Sequence, residues 1–194
     1  MIPPAHFLAS WLLANSLRLN QRDRMLVTVA GVIPDLDGLG YPVERLTENW
    51  DHPWTWYSDW HHELGHNIGF AAIVALGVLI ASQGNWRATL LAIASFHLHL
   101  VCDLIGSRGE DGYQWPIPYL QPFSSAWQWS WSGQWELGAW QNRVIGVGML
   151  TATLYLTWQR GYSPFEMVSR RADETCVRLL RKWIPRRTDS GRGV

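Results

Sequence analysis

Pro4-Ala5-His6-Phe7-Leu8-Ala9-Ser10-Trp11-Leu12-Leu13-Ala14-Asn15-Ser16-Leu17-Arg18-Leu19, a turn at Asn20-Gln21, and a return stretch ending in Gly31-Val32-Ile33-Pro34-Asp35-Leu36-Asp37 decide the fold of this chain. Both arms read as helix. At ~1.5 Å rise per residue, His6 lies ~20 Å before the turn and Asp35 a similar distance after it. Folded antiparallel, the arms bring the imidazole back to the carboxylates. A second hairpin repeats the arrangement: His66 precedes a turn near Gly84-Asn85, and His99 and Asp103 follow it at a matching distance. Side chains scattered over a hundred residues are expected to converge, which is how helical bundles build metal sites.

Working outward, the remaining chain adds helices and loops. Residues 38–60 read as a loop segment bearing Trp50, Trp54, Trp56 and Trp60. Residues 106–135 read as another, with Trp115, Trp127, Trp129, Trp131 and Trp135. Each follows a ligand-bearing end, so both are expected to overhang the site. Further helices are predicted over about 137–159 and from Pro164 to Trp183, the latter basic and amphipathic and opened by a Ser163-Pro164 start signal. No alternating stretch long enough for a sheet is present. The expected fold is all-α: about six helices in antiparallel hairpins, with the metal site at one end. A helical domain over 1–162 precedes a basic amphipathic helix and tail over 163–194.

His99-Leu100-Val101-Cys102-Asp103 places two ligand types one helical turn apart, on one face. His97 points about 120° away from Asp103, and Cys102 reads as a small buried hydrophobe. Pro34 ends the second helix, leaving Asp35 and Asp37 at a helix C-terminus where the dipole disfavours negative charge and a cation would compensate. His62-Glu63-Leu64-Gly65-His66 formally matches the zinc-protease pattern, but its position at a helix start and the glycine weigh against it. Water-exposed Asp-rich turns and packed tryptophans are the bland alternatives for these features.

Composition narrows the function. The 194 residues carry a formal net charge of zero, which argues against general nucleic-acid binding. Residues 163–194 nonetheless hold eight basic and four acidic groups. Cys102 and Cys176 give no disulfide framework, so a reduced, cytoplasm-facing protein is expected. The N-terminus lacks the features of a secretory signal. Asn67–Trp86 is free of charge, and 88–102 and 144–159 are shorter uncharged helical stretches. A buried bundle core and a membrane-embedded bundle both fit this pattern.

The order His6, Val32-Ile33-Pro34-Asp35-Leu36-Asp37, His61-x4-His66, His99-x3-Asp103, Trp115-Pro116 resembles the YdjM-like family of membrane-associated, metal-dependent hydrolases over residues 1 to about 120. The resemblance implies His6, Asp35, Asp37, His61, His66, His99 and Asp103 as the metal set, and gives no support to His62, His97 or Cys102. The chain departs from the family pattern at His62, Glu63, Gly65 and Asn67, where the family has Arg, Gly, Thr and Ser. A looser likeness to zinc-dependent phospholipase C stops short, because all seven histidines precede residue 100 and the later ligands of that site are absent.

The expected function is therefore metal-dependent hydrolysis of a phosphoester, with one or two ions activating water and Asp35 or Asp37 as general base. Zinc suits imidazole and carboxylate ligands, and manganese or iron also fits. The substrate is expected to be a small-molecule or lipid-like ester. The protein is expected at the inner membrane or peripheral to it, with the site facing the cytoplasm. The alternative is a non-enzymatic membrane-associated protein whose metal is structural.

Overall fold

The computed structural model describes residues 1–61, 63–109 and 112–185. Among them are eight α-helices and no strand, so the all-α expectation holds. The helices are α1 (Pro3–Ala14), α2 (Gln21–Ala30), α3 (Gly40–Thr47), α4 (Trp56–Trp60), α5 (Ile68–Ala81), α6 (Trp86–Gly106), α7 (Trp140–Arg160) and α8 (Arg170–Trp183). Two 3-10 segments, Ile33–Leu39 and Pro164–Met167, join them.

Local chemistry sets most boundaries. Pro3 and Pro4 open α1, where missing N–H groups cost nothing. Asn20, Asn67, Asn85 and Ser169 cap α2, α5, α6 and α8 by accepting backbone N–H bonds. Gly161, at φ +81°, ends α7 in the left-handed conformation.

α6 is the central element. It packs on α1, α2 and α5, and α1 also lies along α2 and α7. The main core is built largely from small residues, Ala14, Ala30, Ala71, Ala88 and Ala92, around Phe96, Leu100 and Val27. Small side chains let the helix backbones approach closely. At the end away from His99 and Asp103, Asp23 accepts bonds from both Asn20 and Asn85, tying the α1–α2 turn to the α5–α6 turn.

Three boundaries differ from the sequence reading. α1 stops at Ala14, five residues early, because Asn15 turns its amide back onto the Trp11 carbonyl. Arg160 and Tyr162 then hold the Asn15 side chain from α7 and the segment after it. The segment read as a loop over 38–60 holds α3 and α4, crossed so closely that a Cβ on Gly40 would meet the Tyr57 nitrogen at 2.9 Å. The helix expected from Pro164 to Trp183 is interrupted, and Ser169 restarts it as α8. The tail from residue 186 lies outside the described residues.

Candidate metal centre

The centre is built where the C-terminal part of α6 meets the segments leading out of α2 and into α5. His99 and Asp103 come from α6, both buried. His99 Nδ1 is 2.8 Å from the Gly31 carbonyl, which can only accept. That ring nitrogen therefore carries the proton, and Nε2 turns a lone pair inward. His66, fully buried just before α5, has Nδ1 3.2 Å from Asp37 Oδ2 and so also aims Nε2 inward. The two Nε2 atoms are 3.2 Å apart. Lone pairs facing each other at that distance repel unless a proton or a metal ion lies between them.

The carboxylates complete the arrangement. Asp103 Oδ2 is 3.0 Å from His99 Nε2 and 3.5 Å from His66 Nε2, and Asp35 Oδ1 is 3.6 Å from His99 Nε2. Four donors around a tetrahedral zinc ion stand about 3.3–3.6 Å apart, given bonds of about 2.0–2.2 Å. The observed spacings bracket that range. Buried Oδ2 atoms of both Asp35 and Asp103 lack a hydrogen-bond partner. On donor type, spacing and orphaned oxygens, the residues fit a divalent metal.

His6 approaches from α1. Its Nε2 is 3.1 Å from Asp103 Oδ1 and 3.0 Å from the Met1 carbonyl, and its ring stacks on His99 at 3.8 Å. One ligand atom from each of His6, Asp35, His99 and Asp103 lies within 4.8 Å of the others. The Met1 amine also pairs with Asp103 Oδ1.

Asp37 and His61 stand one step further out. Asp37 accepts from His61 Nδ1 at 2.8 Å, from His66 and from the Gly65 N–H. Burial alone would raise its pKa, but the hydrogen bonds and charge of the two imidazoles hold it well below the usual carboxylate range. Gly65 is required here: a Cβ would come within 2.3 Å of the Pro34 carbonyl oxygen. His61 stacks on Tyr57 at 4.4 Å. The two aspartates after Pro34 are thus distinguished, Asp35 facing the cluster and Asp37 orienting two histidines.

A cleft of about 820 Å³ opens over the cluster, with Asp35, Asp103, His61, Tyr57, Arg108 and Trp115 in its walls. Of the tryptophans expected to form its rim, Trp115 does so. Trp50, Trp54, Trp56, Trp60, Trp127 and Trp131 are exposed elsewhere, and Trp129 stacks on Tyr119. His97 bonds Ile93 and Tyr119, away from the centre, and Cys102 is buried beside Met1 and Ala5. His62 lies outside the described residues, so the zinc-protease pattern has no geometry to report. The sequence reading missed Tyr57, Arg108 and the Gly31 carbonyl. Arg108 was legible as the first cation after Asp103, whereas a backbone carbonyl leaves no mark in a sequence.

The same chain order of His6, Asp35, Asp37, His61, His66, His99 and Asp103 falls inside the match to a family model described as YdjM inner membrane protein, over residues 1–168. The chain belongs to the YdjM inner membrane protein family. The YdjM match also takes in α7, so it extends beyond the residues on which the resemblance was first read. Neither a curated protein nor a solved structure matches the chain. In this YdjM-family member α6 is, among the described residues, the one helix long and apolar enough to cross a membrane, and α5 is a shorter apolar helix.

Proposed function

We propose that this protein is a metal-dependent hydrolase of a phosphoester, with His66, His99 and Asp103 holding a divalent ion, zinc for preference, and Asp35 beside the coordination position left open. The observation that carries the reading is the inward-facing pair of imidazole nitrogens, 3.2 Å apart, beside two orphaned carboxylate oxygens. A bound divalent ion would acidify water towards pKa ~7 and polarise the scissile phosphoryl oxygen. The residues of the chain do the rest. The Gly31 carbonyl and Asp37 fix the His99 and His66 rings in the tautomer that ligation needs. Asp35, half-buried with one oxygen unpartnered, is the base nearest the cleft. His61, oriented by Asp37 and lining the cleft, holds the proton for the leaving group. Arg108 supplies positive charge in the wall for an anionic substrate.

A purely structural ion would be closed in by protein ligands, whereas a catalytic one keeps a position open. With three protein ligands the fourth position would face Asp35 and the cleft, which favours catalysis. The test uses the full chain purified in detergent, with metal content measured and hydrolysis of a generic phosphodiester and a carboxylic ester followed. We expect close to one ion per chain, its loss in Asp103→Asn, and phosphodiester turnover that falls by about 10²-fold or more in His61→Ala while the metal remains. Metal without turnover of either ester would leave a structural site. No bound metal would end the proposal.

A further inference from the structure

The two ends of the helical body differ in charge. Ten of the thirteen Lys and Arg among the described residues lie at the end away from the metal cluster: three in 18–24, Arg87, Arg160 and five on α8, against four acidic groups there. The cluster end, over 31–67 and 103–143, has three basic and nine acidic groups among the described residues. α8 belongs to the basic end. Arg181 bonds the Trp158 carbonyl, Trp158 Nε1 bonds the Ile184 carbonyl, and Asp173 takes the Ser163 N–H and hydroxyl. Along α6, Arg87 and Asp103 are ~24 Å apart at 1.5 Å per residue.

Between these ends the outer faces are apolar. Ile73, Leu76 and Ile80 on α5, Leu90 on α6, and Val147 and Leu150 on α7 are all exposed. The 21 residues of α6 span ~31 Å, the thickness of a bilayer hydrocarbon core. We propose that these faces are bedded in acyl chains, that the basic end rests against the anionic headgroups of the cytoplasmic leaflet, and that the His/Asp centre therefore opens on the opposite face of the membrane. Two arguments support this direction. Cytoplasmic segments flanking membrane helices carry the excess of Lys and Arg. The cytoplasmic leaflet is also the negatively charged one, attracting each nearby basic residue.

This reverses the orientation expected from sequence, which had the site facing the cytoplasm. α8 and the cluster occupy opposite ends of α7, so both cannot meet the same leaflet. The substrate is then one encountered outside the cytoplasm. The orientation holds whether the centre is catalytic or structural.

The test places single reporter thiols in the full chain, in spheroplasts and in a Cys176→Ser background. Ser132→Cys marks the cluster end and Ser16→Cys the basic end; both serines are exposed, and Cys102 is buried. A membrane-impermeant maleimide is applied before and after permeabilisation. We expect the Ser132→Cys thiol to react in intact spheroplasts, and the Ser16→Cys thiol to react at least about tenfold more after permeabilisation than before. Labelling in the reverse order would overturn the proposal. So would labelling of both thiols from outside, or protection of both until lysis.

Discussion

His66 and His99 place unlike demands on their two ring nitrogens. Each outer nitrogen donates to a fixed acceptor, the Asp37 carboxylate or the Gly31 carbonyl, and each inner one meets the other at 3.2 Å. Without metal, a proton must fill that gap. Burial opposes charge on His66, but the negative charges of Asp103 and Asp37 beside it, with the Asp37 hydrogen bond, prevail and push its pKa up to about 9. At pH 7 the metal-free ring is therefore protonated, and ligation needs it neutral. Metal binding should release a proton at pH 7, fewer as pH passes about 9, and the apparent affinity should climb between them. Titration calorimetry in two buffers of different ionisation enthalpy reads this directly, and a buffer-independent heat would refute it. Sequence spacing was enough to pick out His99 and Asp103. It was not enough to separate Asp35 from Asp37, because both follow Pro34 by one or three residues and only the 3-10 turn decides which faces the cluster.

Among the elements, α5 and α6 were legible as uncharged stretches on either side of the turn near Gly84-Asn85, while the caps at Asn67 and Asn85 came only with the structure. α3 and α4 were not, because Gly40, Pro42, Pro53 and four tryptophans mimic loop chemistry. What makes those helices is tertiary: Glu44 on α3 accepts the Ser58 N–H and hydroxyl on α4. The docking of the Pro164–Met167 turn was equally hidden. Arg24 on α2 makes a two-pronged bond to Glu166, donates to the Leu19 carbonyl and lies 4.0 Å from the Tyr162 ring. Arg24 and Glu166 are both buried. Removing one partner of a buried pair costs about 3–5 kcal/mol. Glu166→Ala should thus lower Tm by about 6–20 °C, at about 2–4 °C per kcal/mol for a chain this long. An unchanged melting curve would mean that the pair contributes nothing to the junction of α2 with the Pro164–Met167 turn.

For the whole molecule, the exposed apolar residues of α5, α6 and α7 form too broad a surface to leave in water. The chain should sediment with membranes, resist a high-salt wash and dissolve only in detergent. Release by salt would reduce the contact to adsorption through α8. Hydropathy could not have told this case from a buried core, since a helix apolar all round suits either setting until its neighbours are known. The spread of the cluster along the chain has one more consequence. Asp35, His66 and His99 with Asp103 come from three separate segments, so on the proposed ligand set a nascent polypeptide would have no place for an ion until residue 103 has left the ribosome. Loading of the proposed ion would then be a late event in biogenesis, and an incomplete translation product ending before α6 should emerge empty.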